Sequence, residues 1–168
     1  MSIRDARYAD ASSIAAISIE VWIGTYLKQG VNNFFADFAL AEFTTANIES
    51  QLSDQSQFCL VSENEIGIDG FIRVSFGQEA PVAGCSDTEI ATFYVQPRHH
   101  GKGIGKRLLK AAVERCRAKD IEEVWLTTNS ENTPGIAFYL SQEFNFSGET
   151  HFRIDDQAYL NNVYSYSF

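Results

Sequence analysis

The sequence is poor in cysteine, proline and positive charge, and it has no long apolar run. Its three cysteines, Cys59, Cys85 and Cys116, are odd in number and far apart, with no C-x-x-C pair. That excludes a disulfide framework or a zinc site and leaves three small, partly buried hydrophobes. A cysteine nucleophile is the remaining alternative. No stretch has the length of a membrane span, and the opening MSIRDARYAD lacks the apolar centre of a signal peptide. The expectation is a cytoplasmic protein that uses no membrane and no metal. Thirteen bases against 22 acids give a net charge of −9, which argues against a nucleic-acid partner. At 168 residues the chain is expected to form one domain, 1–168, with a substantial core.

The few bases are not spread evenly. Five of the 13 (Arg98, Lys102, Lys106, Arg107, Lys110) fall between Pro97 and Val113 with no acid among them, leaving eight bases against 22 acids elsewhere. A positive segment on an acidic body suggests one anionic ligand and a second, cationic one. The plain alternative is that the acidity only keeps the chain soluble.

Periodicity gives a coarse order of elements. Ile3–Asp5 reads as a strand. Asp10 is expected to cap a helix carrying Ile14, Ile17 and Val21 and ending near Thr25–Gly30. A broken helical region follows at Phe34–Phe43 and Thr45–Leu52. QFCLVSE and IGIDGFIRVSF read as a strand pair turning at Glu63–Glu65, and TEIATFYV as a further strand. Gly103–Arg117 predicts an amphipathic helix with Ile104, Leu108, Ala112 and Cys116 on one face. EEVWLTT is a strand. Thr133 as N-cap and Pro134 as first helical residue open a helix through Gln142. FNFSGET and NNVYSYSF close the chain as strands. The strand–helix–strand unit at Thr88–Thr128 should be a right-handed parallel crossover. The fold class is therefore α/β (α+β): a mixed, mostly antiparallel sheet with helices on both faces.

The basic segment sits in YVQPRHHGKGIGKRLL, where three alternating glycines lead into a helix. Bare backbone N–H groups and positive charge at a helix start suit a phosphate. A nucleotide P-loop is excluded, because His100 stands where its first glycine belongs and Arg107 where its Ser or Thr belongs. The spacing from Gly101 to Gly105 is G-x-G-x-G rather than the dinucleotide G-x-G-x-x-G, and EEVWLTT lacks an acid at its far end.

This segment resembles the acyl-CoA-binding motif [QR]-x-x-G-x-[GA] of the GNAT acetyltransferase superfamily. Downstream, NTPGIAFYLSQEFNF is similar to that family's N-x-x-A-x-x-[FL]-Y segment. Two departures stand out: His100 replaces the Gln or Arg, and Gly135 replaces the alanine, a change expected to be conservative in size.

The resemblance implies acetyl transfer from acetyl-CoA, as co-substrate, to a primary amine by direct attack in a ternary complex. It assigns cofactor contacts to His100, Gly101, Lys102, Gly103, Ile104, Gly105 and Lys106, to the strand residues Phe93, Tyr94 and Val95 that pair with the pantetheine arm, and to Asn132 and Tyr139. Tyr139 would donate a proton to the departing thiolate; otherwise it is a half-buried aromatic. Asn132 would otherwise be a helix-start residue. For the base, Glu89 is the first candidate and Glu20 the second, and either would otherwise be a solvated carboxylate. IEVWIGTY and the tail HFRIDDQAYLNNVYSYSF look similar to the bacterial spermine/spermidine N-acetyltransferase branch, with Glu20, Glu42, Asp155 and Asp156 as candidates to face a polyamine. Amino acids, antibiotic amines and protein N-termini stay open as acceptors. So does a non-catalytic acyl-CoA-binding or sensory module, to which Ala91, where some polyamine relatives carry Glu, gives room. Family members often dimerise, and the aromatic C-terminal strand is the segment that would pair in a homodimer.

Overall fold

The structure, a computed structural model, describes residues 2–168. Strand β1 (Ser2–Asp5) leads into α1 (Ala11–Tyr26), α2 (Asn33–Glu42) and α3 (Thr45–Ser53). Then come β2 (Gln57–Glu63), β3 (Ile68–Ser75), β4 (Glu89–Val95), α4 (Ile104–Arg117), β5 (Glu123–Asn129), α5 (Thr133–Ser141), β6 (Asn145–Ile154) and β7 (Gln157–Ser167). The seven strands form one sheet in the order β1-β2-β3-β4-β5-β7-β6. β1–β2, β5–β7 and β6–β7 are antiparallel, and β4–β5 is parallel with Glu89 opposite Trp125. A parallel pair needs a crossover between its strands, and α4 supplies it. This is the mixed, mostly antiparallel sheet the element order predicts.

The chain forms two compact units, residues 2–73 with 92–112 and residues 74–91 with 113–168. The first is centred on Ile14, Ile17, Ile48, Val61 and Phe71, with Val21, Ile68 and Tyr94 packed against them. Ile14 and Ile17 thus bury the stripe their spacing predicts, each such side chain contributing roughly 1.5–3 kcal/mol. Trp22, near the end of α1, packs at a tilt against Tyr26, Phe35 and Phe38 at 4.6, 5.9 and 5.0 Å between ring centroids. The second unit is centred on β5, where Val124, Trp125 and Leu126 are buried in succession. Around it Tyr139, Phe144, Tyr164 and Tyr166 form a chain of ring contacts.

Local chemistry corrects several expectations. Asp10 precedes α1 but does not cap it through its side chain; its carboxylate takes the Arg7 N–H and the Arg4 guanidinium instead. The cap of α5 is Asn132, not Thr133, which is already helical. The β2–β3 turn lies at residues 64–67, not Glu63–Glu65, because the Asn64 side chain accepts the N–H groups of Ile66 and Gly67. The last two strands are longer than predicted. They meet in a tight hairpin whose two turn residues are Asp155 and Asp156, with Asp155 at φ +50°. Aspartate tolerates that conformation through local hydrogen bonding. The two acids suggested to face a polyamine are therefore turn residues.

Candidate functional site

In the first unit the chain leaves β4 at Val95 and makes a 3-10 turn at Pro97–His99. It passes through Gly101 (φ +77°) and Gly103 (φ +74°) and enters α4. A Cβ would have room at both glycines, so what requires glycine there is the left-handed backbone. Gly105 differs: it is the second residue of α4 and serves as an ordinary helical position. Gly101, Lys102 and Gly103 are exposed, as is Lys106 one turn later. Ile104 is 1% exposed. Its side chain belongs to the core, and only its backbone N–H remains for a ligand.

Side chains hold this loop in shape. His100 Nε2 lies 2.9 Å from the Val95 carbonyl oxygen, bridging the turn back to the strand. The oxygen can only accept, so Nε2 carries the hydrogen. Lys102 Nζ lies 3.2 Å from His99 Nδ1; an ammonium can only donate, so that nitrogen accepts. His100 is thus engaged within the loop at the position where the motif has Gln or Arg.

Glu20, on α1, accepts from Gln96 Nε2 and from Arg98 Nη2, both at 2.9 Å. The Arg98 hydrogen bond first, and the Gln96 bond second, hold its carboxyl below the usual carboxylate range. A carboxylate so stabilised is a poor proton acceptor near neutral pH. Of the five bases counted in the segment, Arg98 is therefore turned onto the protein itself. In the sequence Arg98 counted only as one base of the positive segment and Gln96 had no role, although Gln96 lies directly before the turn proline. Phe93, Tyr94 and Val95 are all half-buried, and Tyr94 meets Phe71 edge-on at 5.7 Å.

In the second unit Tyr139, on α5, is 9% exposed. Phe144 and Tyr164 lie 5.6 and 6.4 Å away, centroid to centroid. Burial pushes its phenol up to about 12, so it stays protonated through the neutral range. Asn132 caps the same helix: Oδ1 accepts the Gly135 N–H at 3.2 Å, and Nδ2 donates to Thr128 Oγ1 at 3.1 Å. Glu89 is the first residue of β4, half-buried. The three predicted residues of this unit thus fall at a helix start, on the last turns of that helix, and at a strand start. Among the described residues no cluster of His, Cys, Asp and Glu has the makings of a metal site. Among the same residues no helix is long and apolar enough to cross a membrane.

A glycine loop between a strand and a basic helix, on a mixed seven-stranded sheet, defines an acyltransferase architecture. The sequence matches the Acetyltransferase (GNAT) family over residues 26–146. The chain belongs to that family and is an N-acetyltransferase. It is 29% identical over 152 residues to the L-methionine sulfoximine/L-methionine sulfone acetyltransferase of Pseudomonas paraeruginosa, covering 88% of this chain and 82% of that protein. It is also 29% identical over 146 residues to the L-amino acid N-acyltransferase MnaT of Escherichia coli, covering 87% and 79%. The PaiA N-acetyltransferase from Thermoplasma acidophilum, solved in complex with coenzyme A, has the same fold, with a TM-score of 0.74 at 20% identity over 100% of both chains.

Proposed function

We propose that residues 1–168 act as one acyltransferase domain, moving an acetyl group from acetyl-CoA to the amine of a small amino-acid-type acceptor. The observation that carries the donor half is the loop before α4. Two exposed left-handed glycines and the exposed Lys102 and Lys106 surround the start of a long helix. Such a loop offers a pyrophosphate backbone donors and positive charge without side-chain bulk. The choice of acceptor is supported by the two relatives at 29% identity, both of whose names specify amino-acid chemistry. The polyamine branch, favoured by the resemblance of IEVWIGTY and the C-terminal tail and by the net charge of −9, ranks second.

Acetyl-CoA supplies a thioester carbonyl. The acceptor nitrogen attacks that carbon, the new C–N bond forms, the C–S bond breaks, and the sulfur leaves as a thiolate. Tyr139 gives the thiolate its proton. Glu89, directly or through water, takes the proton the amine must lose, since an alkylammonium has a pKa near ~10.4. Backbone groups of Phe93–Val95 align the pantetheine arm and stabilise the developing oxyanion. The Val95 carbonyl already accepts from His100, which leaves its second lone pair for the ligand.

Calorimetric titration with acetyl-CoA, then turnover with L-methionine sulfone, other L-amino acids, spermidine and spermine, tests the proposal. Saturable donor binding with amino-acid turnover supports it. Polyamine turnover alone would replace the acceptor class, and binding without any turnover would favour a sensory module. Absence of binding by the folded protein overturns the reading.

A further inference from the structure

We propose that Glu20 is a positioning residue: from α1 it holds the entrance of the anion-binding loop in the conformation that receives acetyl-CoA. The inference rests on the acetyl-CoA reading above and gives Glu20 a task other than proton abstraction.

The loop is fastened on three sides. At its base the Gln96 N–H donates to the Asp69 carbonyl of β3 at 3.0 Å. On its far side the His100 ring returns to the Val95 carbonyl. Between them the turn has its own short hydrogen bonds, His99 N–H to the Gln96 carbonyl at 2.9 Å and His100 N–H to the Pro97 carbonyl at 3.1 Å, and the Lys102 ammonium on His99 Nδ1. Glu20 reaches in here with one carboxylate oxygen on Gln96 and the other on Arg98. The donors flank Pro97, whose fixed φ leaves the turn few other conformations. The five residues after Arg98 include the two left-handed glycines, Gly101 and Gly103, the most permissive backbone of the segment. A tie just upstream limits the conformations those glycines must lose when a ligand orders them. Both oxygens of Glu20 already accept charge-assisted or amide hydrogen bonds, which suits a strut better than a base.

The idea makes a prediction of sign. Glu20 is a negative charge beside a site for a polyanion, so plain electrostatics has its removal tighten acetyl-CoA binding. A positioning role has removal weaken it. Wild type, Glu20→Ala, Glu20→Gln and Arg98→Met are titrated with acetyl-CoA and assayed at saturating acceptor. We expect Kd and the KM for acetyl-CoA to rise about fivefold in Glu20→Ala, a size a half-exposed ion pair supports. The kcat and its pH profile should stay unchanged, and Glu20→Gln, which keeps an acceptor oxygen, should fall between. Arg98 is 67% exposed at its side chain and its replacement does not endanger folding. Its effect should shrink in the Glu20→Ala background, the mark of a shared interaction. Unchanged or tighter binding in Glu20→Ala overturns the proposal, as does a fall in kcat with loss of a pH limb, which would make Glu20 the base. Additive effects of Glu20→Ala and Arg98→Met also overturn it. If wild type itself binds no acetyl-CoA, the functional reading fails and takes this one with it.

Discussion

The carboxamide of Asn132 lies folded over Gly135: its Oδ1 accepts the Gly135 N–H at 3.2 Å, and a Cβ built on Gly135 would land on its amide nitrogen. Glycine is therefore not a conservative stand-in for the alanine of the family motif, as the sequence suggested. It makes room for the cap. Asn132→Ala should lower stability by about 1 kcal/mol, the usual worth of an N-cap. In a Gly135→Ala background, where the methyl has already displaced the carboxamide, the same change should cost little. Urea midpoints of the four proteins check this. Equal costs in both backgrounds would mean that the cap survives the methyl.

The loop glycines make a second case. Gly103 sits at φ +74°, and a Cβ there would come no closer than 3.7 Å to Arg107 Nη1. Space is available, and the penalty for a side chain is conformational, roughly 1–2 kcal/mol for a left-handed residue. Gly103→Ala should accordingly fold and bind acetyl-CoA more weakly. Gly103→Glu should lose binding altogether, because it adds a carboxylate where an anion must approach. Calorimetry on both variants, with folding checked by circular dichroism, separates backbone strain from charge. Intact binding by Gly103→Glu would reduce the loop to a turn.

Acid stability depends on a different cluster. One guanidinium, Arg4 on β1, forks both Asp10, at 2.7 and 3.1 Å, and Glu63, at 2.9 and 2.8 Å. These bonds to Arg4 are the largest cause holding each carboxyl below its ordinary value of 3.8 or 4.5. Lowered folded-state values mean that the unfolded chain binds more protons in acid. The stabilisation is complete above the ordinary carboxylate values and is lost as the pH falls through the lowered ones. As the pH falls below the ordinary values of 3.8 and 4.5, wild type should lose stability more steeply than Arg4→Met. Denaturant midpoints across that range check it; parallel curves would show that the fork contributes nothing.

How much of this was legible follows from where each signal sits in the chain. The α4 stripe was readable because Ile104, Leu108, Ala112 and Cys116 obey one short period and all are buried. The phosphate loop was readable because its glycines and bases are contiguous. Glu20 was noticed as an acid, but its ties span 76 and 78 positions, and no local pattern encodes such a pairing. The final hairpin was read short because its turn uses Asp155 and Asp156 where glycine or asparagine is the stronger signal. The cap of α5 went to the wrong residue because Asn132 and Thr133 are both good capping types, and only the backbone distinguishes them.

The cysteines give an inexpensive check on burial. Desolvation pushes the Cys59 thiol up to about 12 and the Cys116 thiol up to about 11, and both side chains are buried. The thiolate is the reactive form, so neither should alkylate in the native protein. Cys85, on the loop between β3 and β4, is partly exposed. Iodoacetamide at neutral pH should add one group, at Cys85, and three after denaturation. Mass spectrometry of peptides reads this directly. Native labelling of Cys59 would show that the core of the first unit opens.

Tyr139 is where the structure bears most directly on chemistry. Its phenol, buried and pushed up to about 12, keeps its proton at any pH at which an amine would be acetylated. A group of that kind reaches the departing thiolate with its proton in place, as a donor must, although burial also makes it a weaker acid; it does not suit a base. Tyr139→Phe keeps the ring that touches Phe144 and Tyr164, so folding and acetyl-CoA affinity should hold. The kcat should fall by roughly 10²–10⁴, the span of general acid catalysis. No limb of the wild-type pH–rate profile below the phenol's raised range should belong to this residue, so the variant's profile should keep its shape. A variant with unchanged kcat would assign Tyr139 to the core alone and move the proton donor elsewhere. A variant that no longer binds acetyl-CoA would instead make the hydroxyl a binding group. Only turnover loss with intact binding identifies it as the acid.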